Sequence, residues 1–166
     1  MKKIEKYLHY GQQRVDNDDI KAVVKVLKSD FLTTGPEVEK FETALKIYTE
    51  SEYAVVCSSG STALSLAYMA IGIDRDSTVF MPTITFAATA NAAKVLGANV
   101  IFCDCCSKSG IVKPEYLLNS LKKNSYTNGF FIGVHMNGQS MDLSKLKKIC
   151  DTNKVKFIED ASHALG

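Results

Sequence analysis

Apolar side chains along this chain switch between a helical spacing and short unbroken runs, the alternation expected of helices and buried strands. Asp16 can cap a first helix, with Asp19 three residues on near its positive end. Ile20, Val23, Val24 and Leu27 then share one helical face. The stretch LTTGP breaks the chain, and Val38, Phe41 and Leu45 mark a second amphipathic helix after Pro36. From there strand and helix alternate. YAVVC (53–57) reads as a short buried strand and 62–71 as a helix. TVFM from Thr78 is the next strand and 86–96 the next helix. NVIFC from Asn99 is a strand, 113–122 a helix, and GFFIGVH ending at His135 a strand. Leu143, Leu146, Ile149 and Cys150 form a helix face, and KFIED ending at Asp160 is the last strand.

Short apolar strands separated by helices predict an α/β fold with a mainly parallel sheet covered on both faces. No internal repeat, low-complexity segment or linker interrupts it. The chain stops at Gly166, a few residues past a strand, with no helix to cover that strand, so truncation at the C-terminus is expected.

Composition narrows the function little. The 166 residues suffice for one compact domain, and 46% apolar content is ordinary. A net charge of +2, with basic residues scattered along helix patterns, gives no electrostatic reason to expect nucleic acid or membrane as a partner. The opening MKKIEKYLHYGQQRVD lacks the apolar core of a secretory signal, and no run reaches the roughly 20 apolar residues of a membrane span. A soluble, cytoplasmic protein is expected. Five cysteines, an odd number, point to reduced thiols. Cys103 and Cys106 have C-x-x-C spacing, but no second pair follows, so buried or strand-end thiols are expected rather than a metal site.

In open α/β sheets, ligands bind at the carboxyl ends of strands. Four such ends carry unusual residues. SSGST (58–62) offers Gly60 for close backbone approach, together with hydroxyls and helix-start amides that suit a phosphate; a serine-rich helix cap is the alternative. In MPTITFAATANAA, Thr83 and Thr85 can cap the next helix, and Phe86 can cover a flat ring or serve the core. In GVHMNGQSMD, His135 can meet a ligand or satisfy a buried hydrogen bond. In IEDASHALG, Asp160 needs a partner if buried, either a protonated heterocyclic nitrogen or a helix terminus, and His163 follows three residues later. There is neither a P-loop nor a G-x-G-x-x-G dinucleotide loop.

Taken in order, KSDFLTTGPEVEKFE, CSSGSTAL, PTITFAATANA, VHMNGQSMD and EDASHALG resemble the motifs of the DegT/DnrJ/EryC1/StrS family of sugar aminotransferases, from about Tyr10 to Gly166. Within it, Tyr10, DFLTTG and SHALG are most similar to 4-aminotransferases of UDP-4-keto-6-deoxy-N-acetylhexosamines of the pseudaminic-acid type. The resemblance implies the aspartate-aminotransferase-like large domain (fold type I of pyridoxal-phosphate enzymes), of which residues 1–166 would be the N-terminal part. It implies pyridoxal 5′-phosphate (PLP) as cofactor, with Gly60 and Ser61 at its phosphate, Phe86 stacked on its ring, Asp160 at the ring nitrogen and His163 at the phenolic oxygen. Tyr10, Asp30, Phe31, Leu32, Thr33 and Gly60 correspond to positions that meet the nucleotide-sugar. The implied partners are a UDP-linked keto-deoxyhexose and an amino-acid donor, usually glutamate, in a homodimer. The family's cofactor-linking lysine lies downstream of EDASHALG, and no lysine here matches it, so these 166 residues alone are expected not to transaminate. Three other readings stand beside this one: a PLP-dependent sugar dehydratase of the same family, a non-catalytic remnant of a disrupted gene, and an unrelated nucleotide-binding α/β domain.

Overall fold

The computed structural model describes residues 13–165 and divides the chain into two compact units, Met1–Val56 and Cys57–Gly166. The first unit holds helix α1 (Asn17–Leu27) and helix α2 (Pro36–Thr49). α1 starts where the sequence predicts: Asp16 Oδ1 accepts from the amides of Asp18 and Asp19, and the Asp16 amide donates to Asp19 Oδ2 at 2.9 Å. This reciprocal box satisfies three amides at a helix start, which otherwise lack intrahelical partners. Ile20, Val23, Val24 and Leu27 remain exposed despite their shared face. α2 opens with Pro36 in its first turn and closes on Glu50 in the left-handed conformation.

YAVVC is not a strand. Residues 53–57 form no regular element, and Val55 is 78% exposed. Within the first unit the Val56 amide donates to Glu42 Oε1 at 3.0 Å. Apolar composition predicts that a run will be buried, but a strand also needs a ladder partner, and the run has none among the described residues.

The second unit begins with helix α3 (Gly60–Ala70), followed by strand β1 (Ser77–Pro82), helix α4 (Ala87–Val95) and strand β2 (Asn99–Cys103). Helix α5 (Pro114–Lys123), strand β3 (Asn128–Val134), a short 3-10 turn (Met136–Gly138), helix α6 (Leu143–Thr152) and strand β4 (Val155–Asp160) complete it. Every element expected between residues 62 and 160 is present, with ends shifted by a residue or two, as fraying termini allow.

The strands form one parallel sheet in the order β2-β1-β3-β4. The chain steps one way from β1 to β2 and the other way from β2 to β3 and β4. Right-handed crossovers therefore place α4 on one face and α5 and α6 on the other. The core residues follow this division. Val79, Met81, Phe130 and Ile132 pack with Tyr68 of α3 and Ala92 and Ala93 of α4. Phe80 and Phe131, at the alternate positions, pack with Leu117 and Leu121 of α5 and Leu146 and Cys150 of α6. Small residues let α4 lie close on its face, whereas the pairs of larger side chains four apart on α5 and α6 fill the other.

Two cysteines are buried in the second layer, and burial pushes their thiols up, Cys103 to about 11 and Cys150 to about 12. Cys106 differs: the hydroxyl of Ser109 and the amides of Lys108 and Ser109 pull it down to about 7. The two thiols of the C-x-x-C spacing thus have opposite environments.

Two outcomes follow for the folded chain. At pH 8, a thiol reagent should label exposed Cys57, while Cys103 and Cys150 react only after urea is added; mass spectrometry of the labelled peptides reads this directly. Gly133→Ala should lower stability to urea by about 1–3 kcal/mol, because overpacking forces neighbours off their rotamers. The new Cβ would lie 2.8 Å from the ring of Phe157, which is stacked on Phe131 and has little room to yield.

Candidate active site at the carboxyl edge of the sheet

Because the strands are parallel, Pro82, Val134 and Asp160 end at one edge, and the strand order reverses between β1 and β3. A crevice at such a reversal is where open α/β sheets take ligands. The segments that leave this edge carry the polar residues singled out above.

The turn before α3 is built from Ser58, Ser59 and Gly60. Ser59 caps the helix: its Oγ accepts from the Thr62 amide at 3.2 Å. The amides of Gly60 and Ser61, the first two of the helix, have no intrahelical acceptor by geometry. With the helix dipole they form a positive end suited to an anion. Gly60 is held close to the end of β4, since a Cβ there would lie 3.8 Å from Ser162 Oγ.

Asp160 ends β4, half-buried, on the α3/α4 face. Its Oδ1 accepts from the amide of Ser162 at 3.2 Å and from Ser162 Oγ at 2.7 Å, closing a tight Asp-Ser turn rather than capping a helix. Its Oδ2 meets Thr89 Oγ1 at 3.5 Å. Thr89 is fully buried on α4, and its Oγ1 lies 2.8 Å from Thr85 Oγ1. Tyr68 of α3 reaches the same place and donates its hydroxyl to the carbonyl of Thr89 at 3.1 Å. Burial, and then the nearby negative charge of Asp160, hold the Tyr68 hydroxyl well above the ordinary tyrosine range, so it remains a donor.

Phe86 sits at the entry to α4 and is 72% exposed, so it is not a core residue. It shares an open cavity of about 380 Å³ with Ser61, Ser65 and Asn91. Its carbonyl accepts from the Thr89 amide at 3.0 Å, which links the aromatic to the residue facing Asp160. Thr83 and Thr85 do not cap α4. Thr83 Oγ1 donates to the carbonyl of Cys103 at 2.8 Å, and Thr85 turns inward to Thr89.

His135 has the simpler of its two roles. It is 5% exposed, and its Nε2 pairs with Glu159 Oε2 at 3.0 Å. His163 packs over the 3-10 turn, with Nδ1 accepting from the Asn137 amide at 3.3 Å. A neutral ring in that pose carries its proton on Nε2, ready to donate.

The structure therefore brings Gly60, Ser61, Phe86 and Asp160 into one neighbourhood, with His163 three residues past Asp160. Asp30, Phe31, Leu32 and Thr33 belong to the first unit, where all four are exposed; Phe31 and Leu32 border a small cavity of about 140 Å³ there. Tyr10 lies outside the described residues. Sequence reasoning missed Thr89, Tyr68 and Ser162. The available signal was Thr85 and Thr89, four residues apart in a segment otherwise apolar, where a buried hydroxyl demands a partner.

A carboxylate, an exposed aromatic ring and a helix start with spare amides fit a flat, protonated heterocycle carrying a phosphate. Groups of these three kinds suit pyridoxal phosphate. No lysine lines the cavity beside Phe86.

Comparison with known proteins agrees. Residues 13–166 match the model of the DegT/DnrJ/EryC1/StrS aminotransferase family. The chain is 40% identical over 157 residues to a UDP-4-amino-4,6-dideoxy-N-acetyl-beta-L-altrosamine transaminase of Campylobacter jejuni, covering 95% of this chain and 41% of the relative. It is 31% identical to a UDP-4-amino-4-deoxy-L-arabinose–oxoglutarate aminotransferase of Shewanella sediminis, covering 96% and 40% respectively. Among solved structures, Helicobacter pylori PseC, an aminotransferase of pseudoaminic acid biosynthesis, superimposes with a TM-score of 0.83 at 29% identity, over 96% of this chain and 42% of that one. NtdA of Bacillus subtilis, solved with bound PMP, the amino form of the cofactor, does so with a TM-score of 0.83 at 28% identity, over 92% and 35%. The chain thus spans about two fifths of the length of these curated relatives. Over the part that it spans, fold and sequence agree: this chain belongs to the DegT/DnrJ/EryC1/StrS aminotransferase family.

Proposed function

We propose that this protein is a PLP-dependent aminotransferase that moves an amino group from an amino acid, glutamate by preference, to the keto group of a UDP-linked 4-keto-6-deoxy-N-acetylhexosamine. The observation that carries the reading is the adjacency of the Gly60 turn and the Asp160 carboxylate, bridged by Ser162. One cofactor can then reach both with its two charged ends. The names of the Campylobacter and Helicobacter relatives support the sugar class.

Each residue has a distinct task. The amides of Gly60 and Ser61, with the Ser61 hydroxyl, bind the phosphate at the positive end of α3. Phe86 covers one ring face and excludes water from it without adding charge. Asp160 accepts a hydrogen bond from the ring nitrogen and stabilises its protonated form, since opposite charges in a partly desolvated site attract strongly. His163 offers Nε2–H to an oxygen on the ring. The bound cofactor supplies an electron sink for the carbon that loses a proton. Asp30–Thr33 and Tyr10 would contact the nucleotide-sugar. Residues 1–166 would form the N-terminal part of the large domain, in a homodimeric, cytoplasmic enzyme. Among the described residues no helix is long and apolar enough to cross a membrane.

Three measurements test this. Asp160→Ala should weaken PMP binding by about tenfold or more, the loss expected for a hydrogen bond between charged groups; isothermal titration of PMP at pH 7.5 reads it, and unchanged affinity would sink the assignment. Residues 1–166 purified alone should show no amination of the keto-sugar when product is followed by mass spectrometry, because no lysine among them matches the family's cofactor-linking lysine. The protein should run as a dimer in light scattering, and a stable monodisperse monomer would count against the expected interface.

A further inference from the structure

We propose that Thr89 is a positioning residue for Asp160, the last link of a directed hydroxyl chain that runs from Thr85 through Thr89 to the carboxylate and fixes its rotation. The inference rests on the cofactor reading above and deepens it by naming which carboxylate oxygen meets the ring. The chain's direction follows from proton counting. An ionised carboxylate only accepts, so Thr89 must donate its single hydroxyl proton to Asp160 Oδ2. Either threonine could donate across their 2.8 Å contact, and with the Thr89 proton given to Asp160 it is Thr85 that donates and Thr89 that accepts.

Thr89 is held rigidly enough to aim. It is fully buried, its amide donates to the carbonyl of Phe86 at 3.0 Å, and its own carbonyl accepts from the Tyr68 hydroxyl at 3.1 Å. Branching at Cβ restricts its side-chain rotamers further. The carboxylate is thus held firmly at one oxygen and guided at the other. Oδ1 takes the amide and hydroxyl of Ser162 at 3.2 and 2.7 Å, whereas Oδ2 has only the long contact to Thr89 at 3.5 Å. Oδ2 keeps acceptor capacity, which assigns it as the oxygen that receives the ring N–H. Neither Thr85 nor Tyr68 needs to touch the cofactor: both act through Thr89.

The test uses the full-length protein and PMP as probe, labelled with ¹⁵N in the ring. Thr89→Val keeps shape and branching but removes the hydroxyl. It should weaken PMP binding by about tenfold, the lower part of the range for hydrogen bonds to charged groups, and move the ring ¹⁵N signal away from its pyridinium position. Thr89→Ser should restore both. Thr85→Val should give a smaller loss in the same direction, because it removes only the polarising donor. If Thr89→Val binds PMP as tightly as wild type with the same ¹⁵N signal, while Asp160→Ala binds it about tenfold more weakly or worse, the hydroxyl chain is refuted and the cofactor reading stands. If wild type itself fails to bind PMP, both fall. Should Thr89→Val fail to fold by circular dichroism, Thr85→Val decides: wild-type affinity in a folded Thr85→Val protein would overturn the proposal.

Discussion

A half-buried carboxylate at the tip of an edge strand is costly unless donors surround it, and Asp160 is surrounded. Ser162 supplies two hydrogen bonds from the chain that follows, and Thr89 approaches from the helix that covers that face of the sheet. This one group joins β4, the entry to α3 and the first turn of α4. Ser162 touches the space above Gly60, Thr89 carries Phe86 one turn behind it, and Tyr68 ties α3 to α4 through the Thr89 carbonyl. The phosphate-type turn, the exposed aromatic and the acid are therefore parts of a single polar junction.

The parallel sheet makes that junction possible. With every strand pointing the same way, all connections that follow a strand emerge at one edge, and the reversal of order between β1 and β3 opens a crevice there. The two faces then specialise. One is packed by larger side chains from α5 and α6 around Phe80 and Phe131 and holds the inert thiols. The other is lined by small residues of α4 and keeps room for hydroxyls beneath the carboxylate. His135, between the faces at the end of β3, spends its ring on Glu159 and steadies the adjacent strand end.

Most of the second unit was legible in the chain because its strands are short apolar runs and its helices carry inward pairs at helical spacing, such as Leu117 with Leu121 and Leu146 with Cys150. Local capping was equally readable at Asp16, where a box needs only side chains three residues apart. The failures share a cause. YAVVC has the composition of a strand but no partner. Thr83 and Thr85 have the chemistry of caps, yet Thr83 donates to the carbonyl of Cys103 on a neighbouring strand and Thr85 meets the hydroxyl of Thr89 four residues on.

Periodicity, which depends only on neighbours along the chain, was enough for the parallel α/β class and for the polar ends of β1, β3 and β4, and the order of the motifs carried the resemblance to the family. Which hydroxyl faces which carboxylate oxygen depends on residues 71 positions apart, as in Thr89 and Asp160, and on two helices meeting over one face of the sheet. No local pattern encodes such a pairing. It exists only once packing has removed water and left each buried polar group to find a partner among the others.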